Sequence, residues 1–417
     1  MKTISQQSGK RCCADHIRIV LIIGTTAFCS SLDAAEWIVD GTVNQSLSYN
    51  DNVRMLPENA EGSVVYNLTP TLNFARMTEV WDIQGRASYG VQHYTDIEEL
   101  DQNPQDYGLS TVYRTERSNT GLSASYSIVP SQNFAEQDTG NFATNAKRNN
   151  LTVTPTYSYR FTELDSLISS ASYSKSTYSN PGSGNNDTII NNFNDNEVKS
   201  INVGWQRQWS ELFAQSISVF YSNYNSTGRI NSESNSYGIN LTSSYQLSEE
   251  WQFSGTIGGR ITDTSIDTVI IPGLLTAINQ NTSEGFLTDI GVHYKGENLS
   301  SNFGLSRSLV PSGQGQLTEQ TRVSLDFSYR ITERLSSGLT ASYQETDSVS
   351  DINGGLGQSR TNTWVSPNIN WELTQDWLLS ASYAYRNQDR KNPDRTADSN
   401  IFMLTINYNW PGLSISR

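Results

Sequence analysis

Apolar and polar residues alternate along most of this chain with a period of two. Near the start, Trp37, Val39, Gly41, Val43, Leu47 and Tyr49 share one parity, while Asp40, Thr42, Asn44, Ser46 and Ser48 take the other. Val64, Tyr66, Leu68, Leu72 and Phe74 alternate in the same way with Ser63, Asn67, Thr69, Thr71 and Asn73. The pattern returns at Leu151 to Phe161, Tyr237 to Leu247, Val323 to Ile331 and Phe402 to Trp410. Successive side chains of a strand point to opposite faces, so each segment predicts a strand with one wet and one oily face.

The connections alternate too. Tight polar turns are predicted at Met77–Glu79, Thr115–Ser118, Thr162–Asp165, Ser210–Glu211, Ser248–Glu250, Lys295–Asn298, Thr332–Arg334 and Thr374–Asp376. Between them lie longer polar stretches near 50–61, 95–106, 130–149, 176–196, 225–235, 263–284, 310–320, 346–360 and 387–399. Eight short connections and nine long ones imply about eighteen strands, with sixteen as the alternative, and put both chain ends on the tight-turn side. An internal repeat supports the hairpin count. Tyr159-Arg-Phe-Thr-Glu and Tyr329-Arg-Ile-Thr-Glu each lead through a turn into a strand ending in Ala-Ser-Tyr, at Tyr173 and Tyr343, and Ala-Ser-Tyr recurs at Tyr89, Tyr126 and Tyr383.

Alternation alone also fits a soluble sandwich, whose oily faces turn inward. Three features favour an all-β, closed antiparallel transmembrane barrel with short periplasmic turns and long extracellular loops. No linker divides so long a series of strands into domains. Aromatic residues on the apolar parity crowd the tight-turn ends: Phe74, Trp81, Phe161, Trp209, Phe213, Tyr245, Trp251, Tyr294, Tyr329, Trp371, Trp377 and Trp410. That is the distribution of a girdle at a membrane interface. The opposite face is mostly Ser, Thr, Asn, Gln and Gly, expensive in a dry core but natural around water. A bilayer accepts β-structure only with every backbone group paired, so the sheet must close.

Composition adds a compartment. Of 417 residues only three are cysteines. All of them, Cys12, Cys13 and Cys29, precede the first strand, which excludes disulfides and thiolate metal sites from the fold. Lys2, Lys10, Arg11 and Arg18 followed by the apolar run Ile19–Phe28 and the small residues Ala34 and Ala35 predict a signal peptide over 1–35, with one barrel domain over 36–417. Loss of that leader takes away four basic and two acidic side chains and moves the net charge from −14 to −16. Such acidity excludes nucleic acid as a partner and suits exposed, soluble loops. The expected location is the bacterial outer membrane, with lipid and lipopolysaccharide as the surroundings.

Several phrases resemble a family. Ser48-Tyr-Asn-Asp-Asn-Val53, Leu68-Thr-Pro-Thr-Leu72, Arg307-Ser-Leu-Val-Pro-Ser-Gly-Gln-Gly-Gln-Leu317 and the Tyr-Arg-Ile-Thr-Glu-Arg turn are similar to the porin-like outer-membrane barrels associated with exosortase (PEP-CTERM) and exopolysaccharide loci in Gram-negative bacteria. The resemblance implies a channel linked to making or exporting extracellular polysaccharide, with the polymer or its secretion machinery as partner. It implies no catalytic residues and no cofactor. Two other expectations stand beside it: a general small-solute porin, and a structural or surface-binding barrel with a closed pore.

Candidate functional positions follow from parity. Asp40, Asp82, Arg86, Arg160, Arg260, Asp289, Asp326, Arg330, Glu372 and Arg386 fall on the lumen face, either as a charged lining that selects solutes or as cross-strand pairs that stiffen the wall. The apolar stretch containing Val269, Ile270, Ile271, Leu274 and Leu275 sits inside an expected loop, where exposure to water would be costly; it either folds inward as a constriction or plug, or caps neighbouring loops or extends a strand above the membrane. The acidic loop Asp96–Asp101 could hold a divalent cation but lacks the spacing of a calcium loop. His93 and His293 are the histidines left after the leader, and no nucleophile or metal cluster accompanies them, so no catalytic and no metal site is expected.

Overall fold

The computed structural model describes residues 35–136, 138, 140–142, 144–179, 193–228, 231–271, 275–349, 359–391 and 394–416, with backbone alone for 268–271 and 275–278. The leader expected over 1–35 lies outside the described residues except for Ala35. Strands occupy almost everything else. They are β1 (Glu36–Asn50), β2 (Ser63–Met77), β3 (Trp81–Tyr89), β4 (Val91–Tyr94), β5 (Gln105–Arg114), β6 (Ser118–Pro130), β7 (Lys147–Arg160), β8 (Asp165–Ser179), β9 (Asp195–Ser210) and β10 (Phe213–Thr227). The second half continues with β11 (Asn231–Gln246), β12 (Trp251–Ile271), β13 (Leu275–Lys295), β14 (Leu299–Pro311), β15 (Leu317–Arg330), β16 (Leu335–Ser348), β17 (Arg360–Glu372), β18 (Trp377–Lys391) and β19 (Asp394–Ser416).

All pairings are antiparallel between neighbours, and β1 pairs with both β2 and β19, so the sheet has no edge. β3 and β4 both pair with β2 and are two halves of one wall strand broken at Gly90. The wall therefore has eighteen strands. With strands about 4.8 Å apart and tilted about 40°, eighteen of them enclose a Cα radius of roughly 18 Å. That leaves ample room for water after the side chains are in place.

The turns hold their register by side-chain chemistry. In six of the tight connections a Thr or Ser hydroxyl accepts the backbone N–H three residues on: Thr78 from Trp81 (2.8 Å), Thr115 from Ser118 (2.9 Å), Thr162 from Asp165 (3.0 Å), Ser248 from Trp251 (3.2 Å), Thr332 from Leu335 (3.0 Å) and Thr374 from Trp377 (3.2 Å). The last strand carries a bulge. Val39 faces Leu413 but Gly41 faces Trp410, so Pro411-Gly412 inserts one extra residue. Gly412 has φ +76°, and a Cβ there would sit 1.8 Å from the Val39 carbonyl oxygen. The bulge resets parity, and Leu413 and Ile415 continue the outer face begun by Phe402, Leu404 and Ile406.

That outer face is the oily one. Leu47, Leu72, Ile201, Ile257, Ile369 and Leu404 are exposed on the exterior, while Ser236, Thr262, Ser342 and Asn362 of the opposite parity are buried within. At the turn end, cross-strand ring pairs form a belt: Trp81–Tyr113 at 4.8 Å, Phe213–Tyr245 at 6.1 Å, Trp251–Tyr294 at 4.7 Å and Trp377–Tyr408 at 4.8 Å. Phe74, Trp81, Phe161, Trp209, Trp251, Trp371, Trp377 and Trp410 are exposed there, and Phe213 is half-buried against Tyr245. The Ala-Ser-Tyr tyrosines lie at the other margin on the same outward parity. From Trp81 to Tyr89 is eight residues, about 27 Å of strand and roughly 20 Å of bilayer after tilt. No helix among the described residues is long and apolar enough to cross a membrane; the strands do the crossing.

Several stretches expected as loops are strand. Residues 263–271 and 275–284 extend β12 and β13 in continuous register, from Asp263↔Thr282 to Ile271↔Leu275. This is the strand-extension reading of the apolar stretch: the backbone of Val269, Ile270, Ile271 and Leu275 belongs to the tip of a tall hairpin, and Leu274 lies outside the described residues. Above the membrane both faces of a strand meet water, so Asp263, Ser265 and Asp267 on the outer parity hide the strand from any alternation test.

Candidate functional site

The segment joining β6 to β7 fills the upper lumen. Its local sequence explains the path. Pro130 ends β6, since it has no N–H to continue the ladder, and Ser131–Phe134 makes one helical turn. Gly140 then adopts φ +69°, packed so closely on Arg360 that a Cβ would lie 2.7 Å from its Cδ. Ser131, Phe134, Ala135, Asp138, Phe142, Thr144 and Ala146 are all buried, an unusual state for a connection between strands. We refer to residues 131–146 as the strap.

Asp138 anchors the near side. It is 2% exposed. Its carboxylate accepts from the Tyr178 hydroxyl (2.5 Å), the Gly313 backbone N–H (2.5 Å) and the Arg148 guanidinium (3.4 Å). Phe134 packs edge-on against Tyr178 at 5.9 Å, and Arg148 lies 4.8 Å over the Phe134 ring. Gly313 belongs to the β14–β15 connection. β13 and β14 stop pairing at Thr288↔Arg307 although both strands continue, which frees the tip of the β14–β15 hairpin to lean toward the strap. Glu319 secures the leaning hairpin by pairing with both Arg260 (2.7 Å) and Arg307.

The far side is a row of donors on β16, β17 and β18. In the circular strand order β7 and β16 stand half a circumference apart, so the strap crosses the lumen. Gln344 (3.2 Å) and Asn362 (3.3 Å) donate to the Glu136 carbonyl, Arg360 (2.6 Å) to the Asp138 carbonyl and Arg390 to the Gly140 carbonyl. The Glu136 carboxylate lies 3.8 Å from Arg386 Nε. Arg386 is sandwiched between Phe142 (4.9 Å) and Trp364 (4.8 Å). Met55, Ala135, Phe142 and Ala397 close a small apolar cluster beside it. Four guanidiniums and two carboxylates thus meet in one band.

The positions singled out from sequence fall into three groups. Arg386 is the one that reaches the strap. Arg260 sits behind it in the Glu319 pair. The others line the lower wall: Asp40 accepts from Asn73 (2.7 Å), Asp82 from Arg114 (3.4 Å), Arg86 lies 3.8 Å from Asp106, and Asp326 accepts from Thr340 (3.0 Å). Arg160, Asp289, Arg330 and Glu372 are exposed on the lumen parity. Four of these eight lower-wall charges thus link neighbouring strands. The acidic loop is likewise committed: Ile97 and Leu100 bury into a cluster with Val53, Val65 and Tyr94, Glu99 pairs with Arg54 (2.5 Å), and Asp101 with His93 (2.6 Å). Among the described residues no group of three or more His, Cys, Asp or Glu could hold a metal. His293 contacts Asn302 across strands.

Sequence reading missed the strap, along with Arg148, Arg360 and Arg390, because all four fall in stretches counted as loops. One signal was available. Asn133-Phe134-Ala135 and Asn141-Phe142-Ala143 repeat an apolar pair eight residues apart inside an otherwise polar connection.

No protein-family model matches the chain. No curated protein matches it in sequence either. Solved structures similar in fold include the ferric-catecholate import receptor Fiu of E. coli K12 (TM-score 0.46, 9% identity, 89% of this chain and 82% of that one). OccAB4 of Acinetobacter baumannii is similar at TM-score 0.44 and 11% identity, over 91% of this chain and 98% of that one. BauA, the ferric preacinetobactin receptor of the same organism, gives 0.46 and 8% over 90% and 80%. Likeness at this level says nothing of cargo, and the resemblance to exosortase-associated barrels gains no support from it. The architecture speaks for itself: eighteen antiparallel strands, tight turns at one end, tall hairpins at the other and an apolar band between aromatic belts make an outer-membrane-type barrel.

Proposed function

We propose that the chain is an outer-membrane channel of a Gram-negative bacterium, in which solute moves through a hydrated lumen and the strap sets how much of it is open. One observation carries this reading: the upper lumen is narrowed by a segment tied to both walls by side-chain hydrogen bonds, beside the buried rings of Phe134 and Phe142. Hydrogen bonds that pass to water as the segment lifts away exchange at little net cost each. The lower lumen supports the same view, since Asp40, Asn73, Gln84, Arg86, Ser110 and Ser125 line a cavity of about 630 Å³.

Planar-bilayer recording of the refolded chain tests the proposal. Discrete current steps that lengthen when the strap is loosened are expected; absence of current in both the native and loosened forms would leave a closed, surface-binding barrel. That second reading draws on the strap and the β14–β15 tip together occupying the upper lumen. Passage of extracellular polysaccharide remains the cargo reading that the sequence resemblance carries, and block of the current by such a polymer separates it from a general small-solute porin. No catalytic step and no cofactor enters the proposal.

A further inference from the structure

The wall beneath the strap has a fixed hydrogen-bonding sense. A guanidinium can only donate. Arg390 Nε donates to Gln388 Oε1 at 3.0 Å, so the Gln388 amide must turn its NH2 the other way, where it donates to Asn362 Oδ1 at 3.0 Å. Asn362 is thereby also committed to present its NH2, which donates to the Glu136 carbonyl. The acceptor atoms of Gln388 and Asn362 are consumed within the wall, and what faces the lumen is donors. Arg360 and Arg386 add positive charge to that row; Arg360 is 2% exposed. Among the described residues the Nε of each finds no hydrogen-bond acceptor.

The strap meets this surface mainly with oxygens. Phe134 and Ala135 carbonyls accept the Asp138 and Gly140 N–H groups in a helical turn, which leaves the carbonyls of Glu136, Asp138 and Gly140 for the wall donors that engage them. The Glu136 carboxylate faces Arg386, and the Phe142 ring stacks on its guanidinium. A buried donor row with net positive charge is costly without acceptors. Whatever replaces the strap must therefore bring spaced oxygens and negative charge.

We propose that the donor row on β16–β18 is a binding surface for an acidic oligosaccharide, a chain bearing carboxylates and ring oxygens, and that the strap occupies it as an internal substitute until such a chain displaces it. The inference rests on the barrel being a passage and names the class of cargo that passes. Neutral sugars bring acceptors but no charge to set against the guanidiniums.

Trp364, under Arg386 at 4.8 Å, provides a reporter that needs no conduction. The full refolded chain in detergent is titrated with tetragalacturonate and, separately, with maltotetraose, following tryptophan fluorescence, with Trp364→Phe as the signal control. The acidic oligomer is expected to bind at least tenfold more tightly than the neutral one. Binding tightens at least tenfold further in the Glu136→Ala/Asp138→Ala chain, which frees the wall, and is lost in Arg386→Gln/Arg390→Gln. Both double variants loosen the strap, so opposite responses cannot arise from loosening alone. Should either fail to show heat-modifiable migration as a folded barrel, Glu136→Gln, which keeps the shape, is expected to give the same tightening on a smaller scale. Equal binding of the two sugars, or no gain on freeing the wall, overturns the proposal. Silence in the bilayer with selective fluorescence binding would instead sink the passage reading and leave the site standing.

Discussion

Asp138→Ala is the sharpest test of the strap. Two short bonds from buried groups end on this carboxylate, from the Tyr178 hydroxyl and the Gly313 N–H at 2.5 Å each, and Arg148 adds a longer one at 3.4 Å. Truncation strands both donors, each costing about 1–3 kcal/mol when away from water. Arg148 is partly exposed and contributes least. The docked strap should lose roughly 3–5 kcal/mol, a shift of about 150-fold to 5,000-fold in the docking equilibrium. The barrel itself should not weaken, because no ladder bond involves Asp138. Single-channel recording should show higher open occupancy and more flicker than the native chain, and amide hydrogen exchange should accelerate across residues 131–146 while β7 and β8 stay protected. Asp138→Asn, which retains one acceptor oxygen for Gly313, should fall between. If the alanine chain folds, keeps its strap amides protected and conducts as before, the account of the strap as a polar latch is wrong.

Four further expectations concern the scaffold. Leu404→Arg, on the outer face near mid-membrane, should destabilise the barrel by about 2–4 kcal/mol in a urea titration in lipid vesicles, whereas Ser380→Arg on the lumen face of the neighbouring strand should change stability by much less. Gly412→Ala forces both an unfavourable φ and a 1.8 Å contact with the Val39 carbonyl, so the β1–β19 seam should open, read as lower folding yield and faster exchange at Val39 and Gly41. Thr332→Ala removes the hydroxyl that accepts the Leu335 N–H and should cost about 0.5–1.5 kcal/mol, seen as a small drop in the urea midpoint. Shortening the β12–β13 hairpin above Thr264↔Asn281 should leave single-channel conductance unchanged, in contrast to any disruption of residues 131–146; a rise would return the constriction to Val269–Leu275.

Strands, turns and facing were legible because the membrane writes them into the chain. Lipid outside and water inside force a strict two-residue period, as at Phe402, Leu404 and Ile406 against Met403, Thr405 and Asn407. That constraint ends at the membrane surface. Above it β12 carries Asp263, Ser265 and Asp267 outward, and strand looks like loop. Arg148, Arg360 and Arg390 sit in this zone and were therefore hidden, while Arg386, three strand positions from the outward Tyr383–Phe402 pair, kept its parity and was found. The stretch Val269–Leu275 stayed open between constriction and strand extension for a related reason. Apolar residues in a loop are an easy signal, and Val269–Leu275 supplies one. The strap that does cross the lumen is held through backbone carbonyls, which every sequence possesses, and through two carboxylates among many.

A latch made of such contacts has a natural energy scale. Each hydrogen bond that trades with water contributes about 0.5–1.5 kcal/mol net, so the donors on β16–β18 and the Asp138 anchor together hold the strap by only a few kcal/mol once the ordering of the segment is set against them. A ligand that binds only the exposed wall shifts the strap by RT ln(1 + [L]/Kd), about 4 kcal/mol at a thousandfold excess over its dissociation constant, so an oligosaccharide present at about 1 mM tips the strap when it binds the wall near 1 μM. Its withdrawal would let Glu136 and Asp138 fall back onto the arginines. Phe134 and Phe142 are themselves buried and add about 1.5–3 kcal/mol each to the docked strap. The two rings and the polar contacts together set the affinity that a displacing polymer must match.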